Sequence, residues 1–145
     1  MKKVTQILAL ATAMFATDPV NAGEISTTEW GRLPDGQAVA LFTLTNQAGT
    51  RVRVAEYGAL LVSVETHNRE GVLGPVTLSY GNLEEALKGG VYGSVIGRFA
   101  NRIGNGGFEI DGTRYALDSV NPKTSVHIHG GKTGFHRQLW KGTSS

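Results

Sequence analysis

Across residues 38–46 (AVALFTLTN) apolar side chains return at every second position. That is the period of a strand with one face buried, because successive side chains of an extended chain point to opposite sides. Gln47, Ala48 and Gly49 then supply turn chemistry, and residues 51–56 (RVRVAE) alternate again, so the two runs predict a hairpin. Residues 59–66 (ALLVSVET) predict a third strand, closed by a reversing loop over residues 67–71 whose Asn68 and Gly71 favour tight turning. Residues 76–80, after Pro75, predict a short fourth strand. One segment departs from period two: residues 83–88 (LEEALK) fit a helix of a turn or two, stopped by Gly89 and Gly90 where a left-handed cap would sit. Further on, residues 108–110 and 113–117 alternate on either side of Asp111-Gly112, the signal for a two-residue type I′ hairpin.

With 20 glycines in 145 residues and only that one short helical segment, the pattern predicts an all-β, antiparallel fold with many turns. Residues 1–22 stand apart. Lys2 and Lys3 precede an uncharged apolar run over residues 7–16, and Val20-Asn21-Ala22 ends in a small residue. This is the composition of a secretory signal peptide, with cleavage expected after Ala22 and export to the periplasm or the cell exterior. The apolar run is too short to cross a bilayer, which takes roughly 20 residues, so no membrane association is expected after cleavage. Residues 23–145 then form a single domain.

The formal charge of +2 falls by one when Lys2, Lys3 and Asp18 are removed, and leaves no electrostatic footprint for nucleic acid. No cysteine is present, so stability must come from packing.

Two segments concentrate hydrogen-bonding side chains among glycines, as concave polar sites often do. Residues 97–107 place Arg98, Asn101 and Arg102 between apolar neighbours ahead of a Gly104-Asn105-Gly106-Gly107 turn. An arginine fork beside an asparagine amide can read vicinal hydroxyls on a sugar ring; an arginine beside a turn can equally pair with a carboxylate or cap carbonyls. In residues 126–134, His127 and His129 would share a face if the chain were extended there. A metal site needs a third ligand, and His67 and His136, the remaining histidines, lie at no diagnostic spacing. The pair also has the form of a cupin motif, but no glutamate follows within residues 130–138. Glu109, Asp111 and Asp118 are the carboxylates nearest in sequence; Glu109 is more simply an exposed strand position and Asp111 the turn residue of its hairpin.

Read together, four stretches resemble the amino-terminal half of the aldose 1-epimerase family, in the family's order. Residues 56–61 (EYGALL) are similar to its early YGA-x-L strand, and residues 92–103 (YGSVIGRFANRI) to its G-x-x-x-GR-x-ANRI signature. Residues 108–117 are similar to its F-x-x-DG-x-x-Y-x-L hairpin, and residues 128–135 with Trp140 to its LHGG-x-x-GF…W segment. The resemblance covers about residues 38–141. It implies part of a large antiparallel β-sandwich, a hexose as the small-molecule partner, no cofactor or metal, and sugar-contacting roles for Asn101, Arg102 and His129. It also implies that the family's acid histidine and base glutamate belong to segments beyond residue 145, so that no catalytic residue is expected in this chain. Isolated, it would expose strand edges and be poorly soluble or partly unfolded. The spacing ahead of the LHGG-like stretch differs from the family's, which leaves Asn121 without an assigned role. Two readings from other classes stay open: a non-catalytic carbohydrate-binding β-sandwich module using the same three residues, and a metal-dependent β-barrel using His127 and His129.

Overall fold

A computed structural model describes residues 23–143 apart from Val120 and Pro122; the expected signal peptide lies outside the described residues. Five strands run as an antiparallel meander in sequence order: β1 (Glu24–Arg32), β2 (Ala38–Thr45), β3 (Arg51–Ala55), β4 (Leu60–His67) and β5 (Leu73–Pro75). The β2–β3 hairpin pairs Thr45 with Arg51 and Leu41 with Ala55. Its turn is closed by Gly49 N–H donating to Asn46 O, with Gly49 at φ +78°. Asn68 Oδ1 accepts from the amides of Glu70 and Val72 and so folds the loop between β4 and β5.

Alternation decides what is buried. Val39 and Leu41 of β2, Ala55 of β3, and Leu60 and Val62 of β4 point to one side, where Leu83 and Ala86 of α1 (Leu83–Leu87) complete the core. Each large aliphatic side chain fully buried there contributes roughly 1.5–3 kcal/mol. The helix starts at Asn82, whose side chain accepts from Glu85 N–H at 2.9 Å while the Glu85 carboxylate accepts from Gly81 N–H at 2.8 Å, a reciprocal cap. Gly89 and Gly90, at φ +120° and +114°, end it.

Two elements differ from the sequence expectation. The strand expected over residues 76–80 lies upstream, at Leu73–Pro75. Val76 still donates to Val64 O, but the next rung is taken by the Thr77 hydroxyl, which accepts from Val64 N–H in place of a backbone carbonyl. The ladder stops there, leaving Val76 and Leu78 exposed. β1 was not foreseen: its largely exposed side chains carry little hydrophobic signal, and its order comes from backbone pairing along β2.

The remaining strands are short. β7 (Gly107–Ile110) and β8 (Thr113–Ala116) form the expected hairpin, with Ile110 opposite Thr113 and both loop residues at positive φ, Asp111 at +49° and Gly112 at +75°. This is the type I′ geometry. β6 (Arg102–Ile103) pairs with β9 (His127–Ile128).

Candidate functional site

β6 and β9 bring together the two glycine-rich segments, more than twenty residues apart in sequence. Their antiparallel register sets Arg102 against Ile128 and Ile103 against His127. One step beyond the ladder, His129 N–H donates to Asn101 O at 2.9 Å, and Asn101 N–H donates to His129 Nδ1 at 3.1 Å. Arg102 Nη1 in turn donates to Asn101 Oδ1 at 3.0 Å. The three residues singled out from the sequence therefore form one hydrogen-bonded cluster.

The cluster has a definite chemistry. Because His129 Nδ1 accepts a hydrogen bond, the neutral ring carries its proton on Nε2 and presents a donor there. Asn101 and Arg102 are exposed. With its Oδ1 engaged, Asn101 keeps its amide NH2 to offer, and Arg102 keeps the rest of its fork. The result is a patch of donors suited to closely spaced hydroxyl oxygens. Asn101 at φ +65° and His129 at φ +52° both lie in the left-handed region, which asparagine and histidine enter more readily than most residues.

Backbone contacts seat both segments against the main sheet. Phe135 N–H donates to Gly97 O at 3.1 Å. A side chain on Gly130, at φ +85°, would run into that same Gly97 carbonyl. Val95 N–H donates to Gly58 O, Gly58 N–H to Gln138 O, and Trp140 N–H to Glu56 O, so residues 56–58 hold one end of each segment. Arg98 has a structural place: its guanidinium lies 5.4 Å from the centre of the Phe135 ring, which meets Trp140 edge-on at 5.3 Å.

His127 does not share a face with His129. The strand ends at Ile128 and the left-handed turn at His129 separates the two rings. His127 is buried, with Nδ1 at 3.0 Å from Asp118 Oδ1 and 2.9 Å from Asp118 O. The other carboxylate oxygen of Asp118 accepts from Lys132 N–H at 2.7 Å. Asp118 thus ties β9 to the 3-10 turn Gly131–Thr133. The Lys132 amide, and after it the nearby His127, hold its carboxyl below the usual range. Among the described residues, no three histidine, cysteine or acidic side chains gather to hold a metal ion. Glu109 and Asp111 lie on the β7–β8 hairpin, both exposed.

His136, weighed from the sequence only as a metal ligand, is buried beside the site, and its Nδ1 has no hydrogen-bond partner among the described residues. Neither its burial nor the bracing role of Asp118 had a signal in the sequence, because both depend on contacts across the turn.

Residues 40–145 match the family model for aldose 1-epimerase. The chain belongs to the aldose 1-epimerase family. Galactose mutarotase of Homo sapiens is 38% identical over 113 residues, covering 77% of this chain and 32% of the human protein. Aldose 1-epimerase of Escherichia coli (strain K12) is 35% identical over 120 residues, covering 74% of this chain and 31% of its own length. The crystal structure of galactose 1-epimerase from Lactobacillus acidophilus NCFM superposes with a TM-score of 0.67 at 27% identity, over 82% of this chain and 33% of that one. The chain therefore spans about a third of the length of the aldose 1-epimerase relatives it matches, and its all-β architecture is theirs.

Proposed function

We propose that Asn101, Arg102 and His129 form the hexose-binding part of an aldose 1-epimerase site, in a protein that interconverts the α and β anomers of sugars such as galactose and glucose. The observation that carries this is the reciprocal hydrogen bonding of Asn101 and His129, with Arg102 locked to the same amide. It fixes the directions of three donors before any ligand arrives, and such preorganisation favours binding.

Mutarotation opens the hemiacetal and closes it on the other face of the aldehyde. A base removes the anomeric hydroxyl proton while an acid protonates the ring oxygen; the roles reverse on closure. Asn101 and Arg102 would grip hydroxyls, and His129, donating from Nε2, would hold an oxygen of the sugar in line for that exchange. The proton-transfer pair itself is not assigned to any of the three. We also propose that the protein acts after export, on the strength of the composition of residues 1–22.

Titration with D-galactose, followed by ligand-observed NMR or calorimetry, tests the site. Saturable binding is expected, weakened roughly tenfold or more by Arg102→Ala and by His129→Ala, the scale of losing one or two charge-assisted hydrogen bonds. Absence of saturable binding to the unsubstituted protein, or equal affinity in the Arg102→Ala variant, would contradict the assignment.

A further inference from the structure

The β7–β8 hairpin delivers a carboxylate to the back of the site. Asp118 lies just past β8, and the chain ahead of it is pinned where Leu117 N–H donates to Gly106 O at 2.9 Å. From there its side chain reaches two points of the segment that carries His129. Oδ1 lies 3.0 Å from His127 Nδ1, and Oδ2 accepts from Lys132 N–H at 2.7 Å. The Asp118 carbonyl oxygen lies 2.9 Å from the same ring nitrogen. Both neighbours of that nitrogen are acceptors, so His127 Nδ1 carries the proton. One side chain thus spans residues 127–132 from behind.

The spanned segment is a turn that needs external ties. His129, Gly130 and Gly131 are left-handed in succession, at φ +52°, +85° and +69°, and the first of them bears a side chain. The Asp118 carboxylate and the His127 ring close over Gly131, where a side chain would run into both. At the front, the turn is tied to Asn101 by the two hydrogen bonds of the donor cluster. The Lys132 amide first, and His127 after it, hold the Asp118 carboxyl below the usual range, so that it is ionised at neutral pH. Hydrogen bonds to a charged acceptor are stronger than neutral ones, which suits a tie on a strained turn.

We propose that Asp118 is a positioning residue for His129: bound to His127 at one end of the turn and to Lys132 at the other, it holds His129 where its Nδ1 meets the Asn101 amide. The inference deepens the assignment of His129 as a sugar-contacting donor and rests on it for its functional meaning. The geometric claim concerns the protein alone. When the tie is cut, the left-handed turn relaxes, the Asn101–His129 pair opens, and the direction of the His129 Nε2 donor is lost.

Three substitutions separate this role from general stability. Asp118→Asn keeps the shape, but with its oxygen on Lys132 its NH2 faces the donor on His127. His127→Leu removes that donor, and His127→Asn places an amide NH2 near the position of Nδ1. In the 15N-labelled protein, amide hydrogen exchange reads each tie separately. Exchange at Asn101 and Lys132 is expected to be about tenfold faster in Asp118→Asn and in His127→Leu, with galactose affinity falling about tenfold in both. His127→Asn is expected to stay close to the unsubstituted protein. The Glu56 amide, which donates to Ala40 O in the main sheet, is expected to exchange at the same rate in all four proteins.

Unchanged exchange at Asn101 in a folded Asp118→Asn protein overturns the proposal. Exchange at Glu56 that rises in step with Asn101 also overturns it, because that is the mark of general destabilisation. If Asp118→Asn does not fold, the two His127 variants decide: faster Asn101 exchange in His127→Leu alone supports the proposal, and equal rates in the two refute it. Faster Asn101 exchange with unaltered galactose affinity, in a protein that binds galactose, refutes the positioning role. The exchange is read without sugar, so a protein that fails to bind galactose leaves the geometric test standing and counts against the proposed function only.

Discussion

The cluster is built from residues whose conformations are not the easy ones. Asn101 and His129 both occupy left-handed backbone, at a cost of order 1–2 kcal/mol each for a residue with a side chain, and the reciprocal hydrogen bonds between them offset part of it. Asp118 works at the same scale from behind, receiving the Lys132 amide and the His127 ring. Because these partners depress its carboxyl below the ordinary value, the unfolded chain takes up the proton before the folded one does as pH falls. The brace is therefore fully present above about pH 4 and is lost as pH falls through the depressed value. Amide hydrogen exchange at Lys132 reports it. Exchange is expected to be protected at neutral pH and to lose protection in acid, whereas Asp118→Asn should be less protected at neutral pH and nearly independent of pH in that range. Equal protection in the two proteins at neutral pH would show that the carboxylate does not hold the turn.

At the scale of elements, the site is a meeting of two short strands whose ends must approach closely. Gly130 is where approach is tightest, at φ +85° with the Gly97 carbonyl against its Cα. Gly130→Ala is expected to destabilise the protein by on the order of 1–3 kcal/mol through unfavourable φ and backbone collision together, and to separate the Asn101 and His129 segments. Thermal melting with galactose titration checks both, and a variant with unchanged melting and affinity would mean that the two segments are not pressed together at this point.

The sequence made some of this legible. Alternation marked β2, β3 and β4 because each buries one face, and Asp111-Gly112 marked its hairpin because so few residue pairs tolerate two positive φ angles. β1 escaped because it is ordered by backbone pairing and shows little apolar pattern. The fourth strand was displaced because the Thr77 hydroxyl competes with the backbone for Val64 N–H. Asn101, Arg102 and His129 could be named from motif position. Their hydrogen bonding, and the diversion of His127 to Asp118, depend on the left-handed turn at His129, which no local pattern announces.

The whole molecule keeps a feature that fits its relationship to longer proteins. The face of the five-stranded sheet opposite the core is also apolar, with Ile25, Phe42, Leu44 and Val54 lining an open cleft, and with Ile25 and Leu44 exposed. Soluble proteins seldom leave such a patch contiguous, and the relatives this chain matches are about three times its aligned length. An optical rotation assay of the protein that the gene encodes, with freshly dissolved α-D-galactose, tests the central claim most directly. The account predicts that the protein speeds the approach to anomeric equilibrium over the uncatalysed control, and that Arg102→Ala removes about nine-tenths or more of the acceleration, the kinetic equivalent of roughly 1.4 kcal/mol. Rotation that decays at the spontaneous rate with the unsubstituted protein would contradict it, leaving a sugar-binding module if galactose still binds.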